Sequence, residues 1–350
     1  MLIGVPAALL VAVIVGSIAW RIHVNRRNEM YHAVVETARV HLQVGENEEA
    51  LDVLSTADDL DAPPEYRYLR SMTFNRLNRQ EAADSEIRQA VEAAPENPKY
   101  KALELKYRMF ARERSAIDQL IELHGEYASV AEIAFFSIYG FQAKAILLTS
   151  ERKPEAADYH HRQKLKSLAT SLTLAGEMPE VLPELLLFAI QERKHIEALE
   201  LIDTQQSLRP DSLEIRGRKI ATLMALGRAN DAAVIAGEMF EESDKNAEAA
   251  AYYAATLAQT TRSDEHDESF AALVKAYPRS TDIVNRYAIY FARTNRLREA
   301  RAQIERSMKR QLTADARQTL AFLAVTLPLE LKSPGVADEE LQKYRTAFRD

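Results

Sequence analysis

Histidine, carboxylate and phenol groups meet at one place in the sequence, where His160 and His161 follow Asp158 and Tyr159. Those residue types could ligate a metal or move a proton. The spacing argues against both uses. Neighbouring residues on a helix point about 100° apart, so two adjacent imidazoles cannot easily hold one ion, and the stretch reads as a solvated helix face. His195 and His266 fall in or just before the second helix of a repeated helical pair, where they read as packing residues. Glutamates are plentiful, but no pair is set in an apolar stretch of the kind that tunes a general acid. The sequence has no glycine loop to cradle phosphate, no HExxH pair, no GxSxG elbow and no dinucleotide fingerprint. With no cysteine, thiolate zinc sites, iron–sulfur clusters, disulfides and cysteine nucleophiles are excluded. The expectation is a protein that is not an enzyme, with no catalytic residue, no cofactor, no metal and no small-molecule substrate.

A chain without chemistry of its own acts through its surface. A net charge of -7 gives no field that would hold a phosphate backbone, so nucleic acid is not expected as a partner. Ala, Leu, Glu and Arg dominate, and there are only 10 Gly and 12 Pro in 350 residues. That balance favours helix and starves tight β-turns, which sets the fold class as all-α.

The first segment, MLIGVPAALLVAVIVGSIAWRIHVNRR, carries no charge from Leu2 to Trp20. Such a run is close to the ~20 residues that a helix needs to cross a hydrocarbon core. Trp20 and then Arg21, His23, Arg26 and Arg27 follow in the order of a helix leaving a bilayer through its aromatic belt. The arginines place the remainder of the chain on the cytoplasmic side of an inner or plasma membrane. Gly4, Ala8, Ala12 and Gly16 recur every four positions and could pack closely on another span. Cleavage after Ala19 is the alternative, because Ser17-Ile18-Ala19 has small residues at the spacing a signal peptidase reads, and it would give a periplasmic chain.

Self-similarity organises the rest. LGRANDAA at 226–233 is echoed by TNRLREAR at 294–301, 68 residues later; Ala198 precedes Ala232 by 34, and His266 takes the step before Ala300. Units drawn at 179–212, 213–246, 247–280 and 281–314 align without a gap. Their eighth residues are Leu186, Ile220, Ala254 and Ala288, their eleventh Ala189, Leu223, Leu257 and Phe291, and their twenty-fourth Ile202, Ala236, Phe270 and Ile304. Pro210 and Pro278 close two units, while Asp244 and Leu312 stand where proline would close the others. This pattern resembles the tetratricopeptide repeat, a helix–turn–helix unit of 34 residues. Upstream, 31–64, 65–98 and 99–130 resemble it more loosely. The domains expected are an anchor with a basic flank at 1–28, N-terminal repeats at 29–130, a longer irregular helical pair at 131–178, four regular repeats at 179–314 and capping helices at 315–350. Within 131–178, the apolar stretch AEIAFFSIYGFQAKAILL is charge-free only from Ile133 to Ala143, too short for a span, and reads as a buried helix.

The resemblance implies a right-handed superhelical solenoid whose concave face is lined by positions 2, 5, 9 and 12 of each first helix. Positions 9 and 12 are Leu187, Ile190, Ala221, Met224, Ala255, Ala258, Ile289 and Ala292, a mostly small apolar strip suited to a helical or apolar segment of a protein partner. Position 5 is Pro183, Gly217, Ala251 and Asn285, without the lysines of family members that clamp carboxylate termini. Glu180, Glu214, Glu248 and Asp282 recur at position 2, where a first-turn acid also suits the helix dipole. An anchor followed by basic residues and cytosolic repeats looks like bacterial inner-membrane tetratricopeptide proteins such as lipopolysaccharide assembly protein B, without that family's four-cysteine metal knob. The resemblance implies a membrane-anchored scaffold in envelope or exopolysaccharide assembly, touching lipid through residues 2–20. A structural subunit of a larger membrane complex is the alternative.

Overall fold

The computed structural model of the chain describes residues 4–57, 62–278, 280–309, 314–330 and 334–345, and within these no side chain is described for residues 4–16, 18, 19, 314, 316 and 330. All regular elements among the described residues are helices. They form two compact units, residues 1–197 and 198–350.

In the first unit, α1 (Gly4–Val44) pairs with α2 (Asn47–Leu54), α3 (Pro64–Arg76) with α4 (Gln80–Ala93), α5 (Pro98–Phe110) with α6 (Arg114–Tyr127), and α7 (Ala131–Ser150) with α8 (Pro154–Thr173). Two 3-10 turns, Ala175–Glu177 and Pro179–Val181, lead to α9 (Leu182–Gln191). The helix α10 (His195–Leu208) crosses into the second unit. There α11 (Leu213–Ala225) pairs with α12 (Ala229–Glu242), α13 (Ala247–Leu257) with α14 (Asp264–Ala276) and α15 (Thr281–Arg293) with α16 (Leu297–Met308), followed by α17 (Ala314–Glu330) and α18 (Pro334–Lys343).

One local device makes most of these pairs. Gly45, Asn78, Arg112, Arg152, Arg193, Gly227 and Asn295 each follow a first helix at positive φ. The next amide reaches back five residues, as Arg79 N does to Phe74 O at 2.8 Å and Arg228 N to Leu223 O at 2.9 Å. That closure satisfies the last carbonyls of the first helix and reverses the chain. Between α13 and α14 no residue takes that conformation, and the loop is held by His266, whose Nδ1 lies 2.9 Å from both Thr260 Oγ1 and the Thr261 carbonyl.

The twelve landmark residues of the four regular repeats are all buried, as are Ala198, Ala232 and Ala300. Small or apolar side chains at those places let the two helices of a pair approach, so the repeat is a packing rule written locally in sequence. α7, long and apolar enough to cross a membrane by length and composition, packs on α5, α6 and α8. A Cβ added to Gly140 of α7 would lie 3.3 Å from Leu120 Cδ2, so glycine permits the close approach of α6. The pair α7/α8 consists of two regular 20-residue helices, and the 3-10 turn Ala175–Glu177 follows it.

At the end of the chain, α17 packs on α15 and α16, and α18 on α17. Arg301 of α16 donates to the buried Glu340 of α18, through Nε at 2.8 Å.

Candidate functional site

The first helices of the first unit turn an unusual set of charges inward. Lys99 Nζ of α5 lies 2.9 Å from Glu65 of α3, 3.0 Å from Glu132 of α7 and 3.5 Å from Glu180 in the turn before α9. It also sits 4.3 Å from the centre of the Tyr68 ring. Arg39 of α1 pairs with Glu65 and lies 3.8 Å from Glu180. Burial opposes the Lys99 ammonium, but Glu180, Glu65 and Glu132 outweigh it and raise its pKa. Burial also opposes the Glu65 carboxylate, and Lys99 and Arg39 outweigh it to hold that group below its usual range. Glu180 is 1 % exposed; there burial wins over Lys99 and Arg39, and its pKa is pushed up.

These charges hold a plug. Arg76 of α3 donates through Nε to Glu184 of α9 at 2.8 Å, and its other nitrogens reach the carbonyls of Leu42 and Glu180. Phe188 of α9 stacks edge-on against Tyr139 of α7, with ring centres 5.0 Å apart. The helix α9 and the turn before it also pack on α1. Leu182, Leu185, Leu186 and Ala189, spaced along one face of α9, are buried. The face that α1, α3, α5 and α7 turn inward is therefore occupied by the chain's own α9. Glu180, expected on a concave surface at the start of a helix, is instead part of the interior. Leu187 and Ile190 lie on the opposite, exposed side of α9. A cavity of about 290 Å³ is lined there by Leu187 with Phe110, Tyr139, Gln142, Glu184, Phe188 and Gln191.

The second unit leaves its corresponding face open at one place. Ala221 of α11 is exposed, Met224, Ala255 and Ile289 are half-buried, and Ala258 and Ala292 are buried. The expected strip does not continue as open surface, because α13 packs directly on α15 and the small side chains Ala258 and Ala292 are taken into that core. Around Ala221 there is instead a cavity of about 410 Å³, lined by Leu213, Glu214, Gly217, Arg218 and Ala221 of α11, Met239 of α12, Ser243 and Asn246 of the link, and Glu248, Ala249 and Tyr252 of α13. The floor is made of small residues. Leu213 and Tyr252 stand at its edge, each about half exposed, with 54 % and 47 % of their surface free.

Sequence positions these walls through two helix starts. Ser212 Oγ accepts from Ile215 N at 3.4 Å, and Asn246 Oδ1 accepts from Ala249 N at 2.8 Å, which caps α11 and α13. Glu214 and Glu248 then fall in first turns, where the helix dipole favours them. Asp244, found where proline closes other repeats, takes φ +53° and Lys245 takes φ +56°. Two successive left-handed residues carry the chain from α12 to α13, a solution that the missing proline did not reveal. Gly217 leaves space, since a Cβ there would come within 3.7 Å of the Tyr252 hydroxyl. The mouth carries mixed charge, with Arg218 paired to Glu214.

The histidines do not converge. His160 packs between Phe141 and Tyr159, and burial, then Lys144, lowers its pKa. His161 is exposed at the α7/α8 end. Among the described residues no three His, Asp or Glu side chains are grouped to hold a metal ion. Gly4, Ala8, Ala12 and Gly16 belong to the α1 backbone, but as a packing face they lie outside the described side chains.

No protein-family model matches the chain, and no curated protein matches it. Solved structures do. A tetratricopeptide repeat protein from Parabacteroides merdae is 16% identical, with 82% of this chain and 94% of that one aligned at a TM-score of 0.26. Yeast Tom70 is 10% identical over 93% of each chain, at a TM-score of 0.31. The tetratricopeptide domain of P58(IPK) is 12% identical over 89% of this chain and 98% of that one, at 0.27. Likeness of this degree carries no argument about function, which rests on the chain's own residues.

Proposed function

We propose that the chain is a membrane-anchored scaffold for protein–protein interaction. The apolar run of α1 holds it at the bilayer, the arginines after Trp20 keep the helical units on the cytoplasmic side, and the trough beside Ala221 takes an apolar side chain from a protein partner. The observation that supports this reading is the contrast between the units. The inward face of the first is filled by α9, whereas the second keeps an open apolar trough of about 410 Å³ with Leu213 and Tyr252 exposed at its edge. Burying one large apolar side chain there contributes about 1.5–3 kcal/mol, enough to favour one partner segment over another.

A photocrosslinker at Ala221 in native membranes tests it. A partner should be trapped from Ala221, and Gly217→Leu, which fills the trough, should abolish trapping while circular dichroism stays unchanged. Capture that is indifferent to Gly217→Leu, or no capture from Ala221, refutes the site.

A further inference from the structure

The link between the apolar run and the first unit is built as a solid rod. α1 runs unbroken from Gly4 to Val44, and no glycine or proline lies between Gly16 and Gly45 to soften it. Its last turns belong to the core, with Tyr31, Val35, Ala38 and Leu42 buried at helical spacing. The helix meets the unit at its base, where Arg27 is half-buried and Asn28 lines a cavity with Pro63 and Glu65, and before Arg27 it stands clear. From Trp20 to Met30 every residue except Val24 and Arg27 is exposed. A free helix of that length would be marginal, but this one extends a helix already nucleated in the core and needs propagation only.

The charges on that stretch have a geometry of their own. At 100° per residue, Arg21, Arg26 and Arg27 point in directions about 140°, 100° and 120° apart. A helix lying flat on a bilayer carries its cations on one face. Three arginines spread around the whole circumference fit instead a helix standing upright, collared by anionic headgroups on every side.

We propose that residues 20–30 of α1 form a rigid upright stalk, with the arginine collar among anionic lipid headgroups, so that the first unit stands at a fixed height and rotation above the bilayer. This rests on the membrane-anchor reading. The rise from Trp20 to Tyr31, the first buried residue, is about 16 Å, of which about 6 Å lies beyond Arg27 at the top of the collar, so the repeats begin just above the headgroup layer. A partner is then reached at a set distance from the membrane.

The chain has no cysteine, so Glu49→Cys, on the exposed side of α2, provides a single labelling site on the full chain. Energy transfer to a headgroup-labelled lipid in phosphatidylcholine–phosphatidylglycerol vesicles then reads its height. A narrow distribution is expected. Four alanines inserted after Asn25 should raise the label by about 6 Å without broadening, and Asn25→Gly with Asn28→Gly should broaden it. A broad distribution in the unaltered chain, or a height that ignores the insertion, overturns the stalk. Vesicle flotation separates the two readings: a chain that floats but gives scattered heights overturns the stalk alone, and one that does not float overturns the anchor with it.

Discussion

Replacing Lys106 with methionine should make the first unit more stable, and the gain should disappear in alkali. Lys106 of α5 is buried, and its ammonium makes no ion pair or hydrogen bond among the described residues. It faces Tyr139 at 4.6 Å, Phe136 at 5.6 Å, Phe110 at 5.9 Å and Tyr107 at 6.0 Å from the ring centres. Burial pushes it down from 10.5 to about 8, against the pull of Glu184, whose carboxylate is engaged by Arg76. Keeping the charge in the folded chain at neutral pH therefore costs about 3 kcal/mol, and the four rings return up to about 2 kcal/mol of cation–π attraction. Methionine fills a similar volume and makes sulfur–aromatic contacts of its own, so Lys106→Met should gain about 1–3 kcal/mol near pH 6.5. Between about 8 and 10.5 the folded chain binds fewer protons at this site than the unfolded chain, so the unaltered protein gains stability as pH rises through that window. The variant lacks this gain, and the two curves converge. Urea-dependent pulse proteolysis of the detergent-solubilised chain, read by mass spectrometry of α5 peptides, measures both. A variant less stable near pH 6.5 would mean that the rings hold the ammonium more strongly than burial opposes it, and the reasoning would fail.

Arg76→Met should cost about 3–5 kcal/mol by leaving the half-buried Glu184 and the carbonyls of buried Leu42 and Glu180 without their partner, and Arg76→Met with Glu184→Leu should recover part of that in thermal unfolding. Gly217→Ala should raise the stability of the second unit by about 0.5–1 kcal/mol in urea unfolding, because the added Cβ meets only ordinary contact with Tyr252 in a helix interior. Ala8→Leu with Ala12→Leu separates a simple tether from a span assembled with others: native gels of solubilised membranes should show no change for a tether and the loss of a complex for a packed span.

What could be read from sequence was local. The repeat landmarks are buried as their spacing demands because each small residue faces the partner helix of its own pair. The cap that closes a first helix is announced where Gly45, Asn78, Gly227 or Asn295 supplies it, and hidden where Arg112, Arg152 and Arg193 hold the conformation that glycine or asparagine favours. Glu180 carries the same position in its repeat as Glu214 and Glu248, yet it is buried among Lys99 and Arg39 while the others are first-turn surface residues. No periodicity could separate them, because the difference comes from helices more than 80 residues earlier in the chain. The trough beside Ala221 was half legible. Gly217 and Ala221 stood at the expected positions, but Met239, Tyr252 and, from the link, Ser243 and Asn246 complete it from outside the repeat rule.

The filled face of the first unit also shows what such a surface selects. Its occupant presents Leu182, Leu185, Leu186 and Ala189 inward at helical spacing, and fixes its register with Glu184 on Arg76 and Glu180 near Lys99. Apolar side chains supply the burial energy, and the acids set which way and how far the helix lies, because a shift by one residue would strand a charge in the interior. The second unit keeps the apolar half of that arrangement, and none of its described lysines or arginines is buried. At its mouth Arg218 is matched by Glu214, and Glu248 is exposed. A segment held there gains burial from the trough but little register from charge, so the trough suits a contact made by one prominent side chain more than a long helix locked along its length.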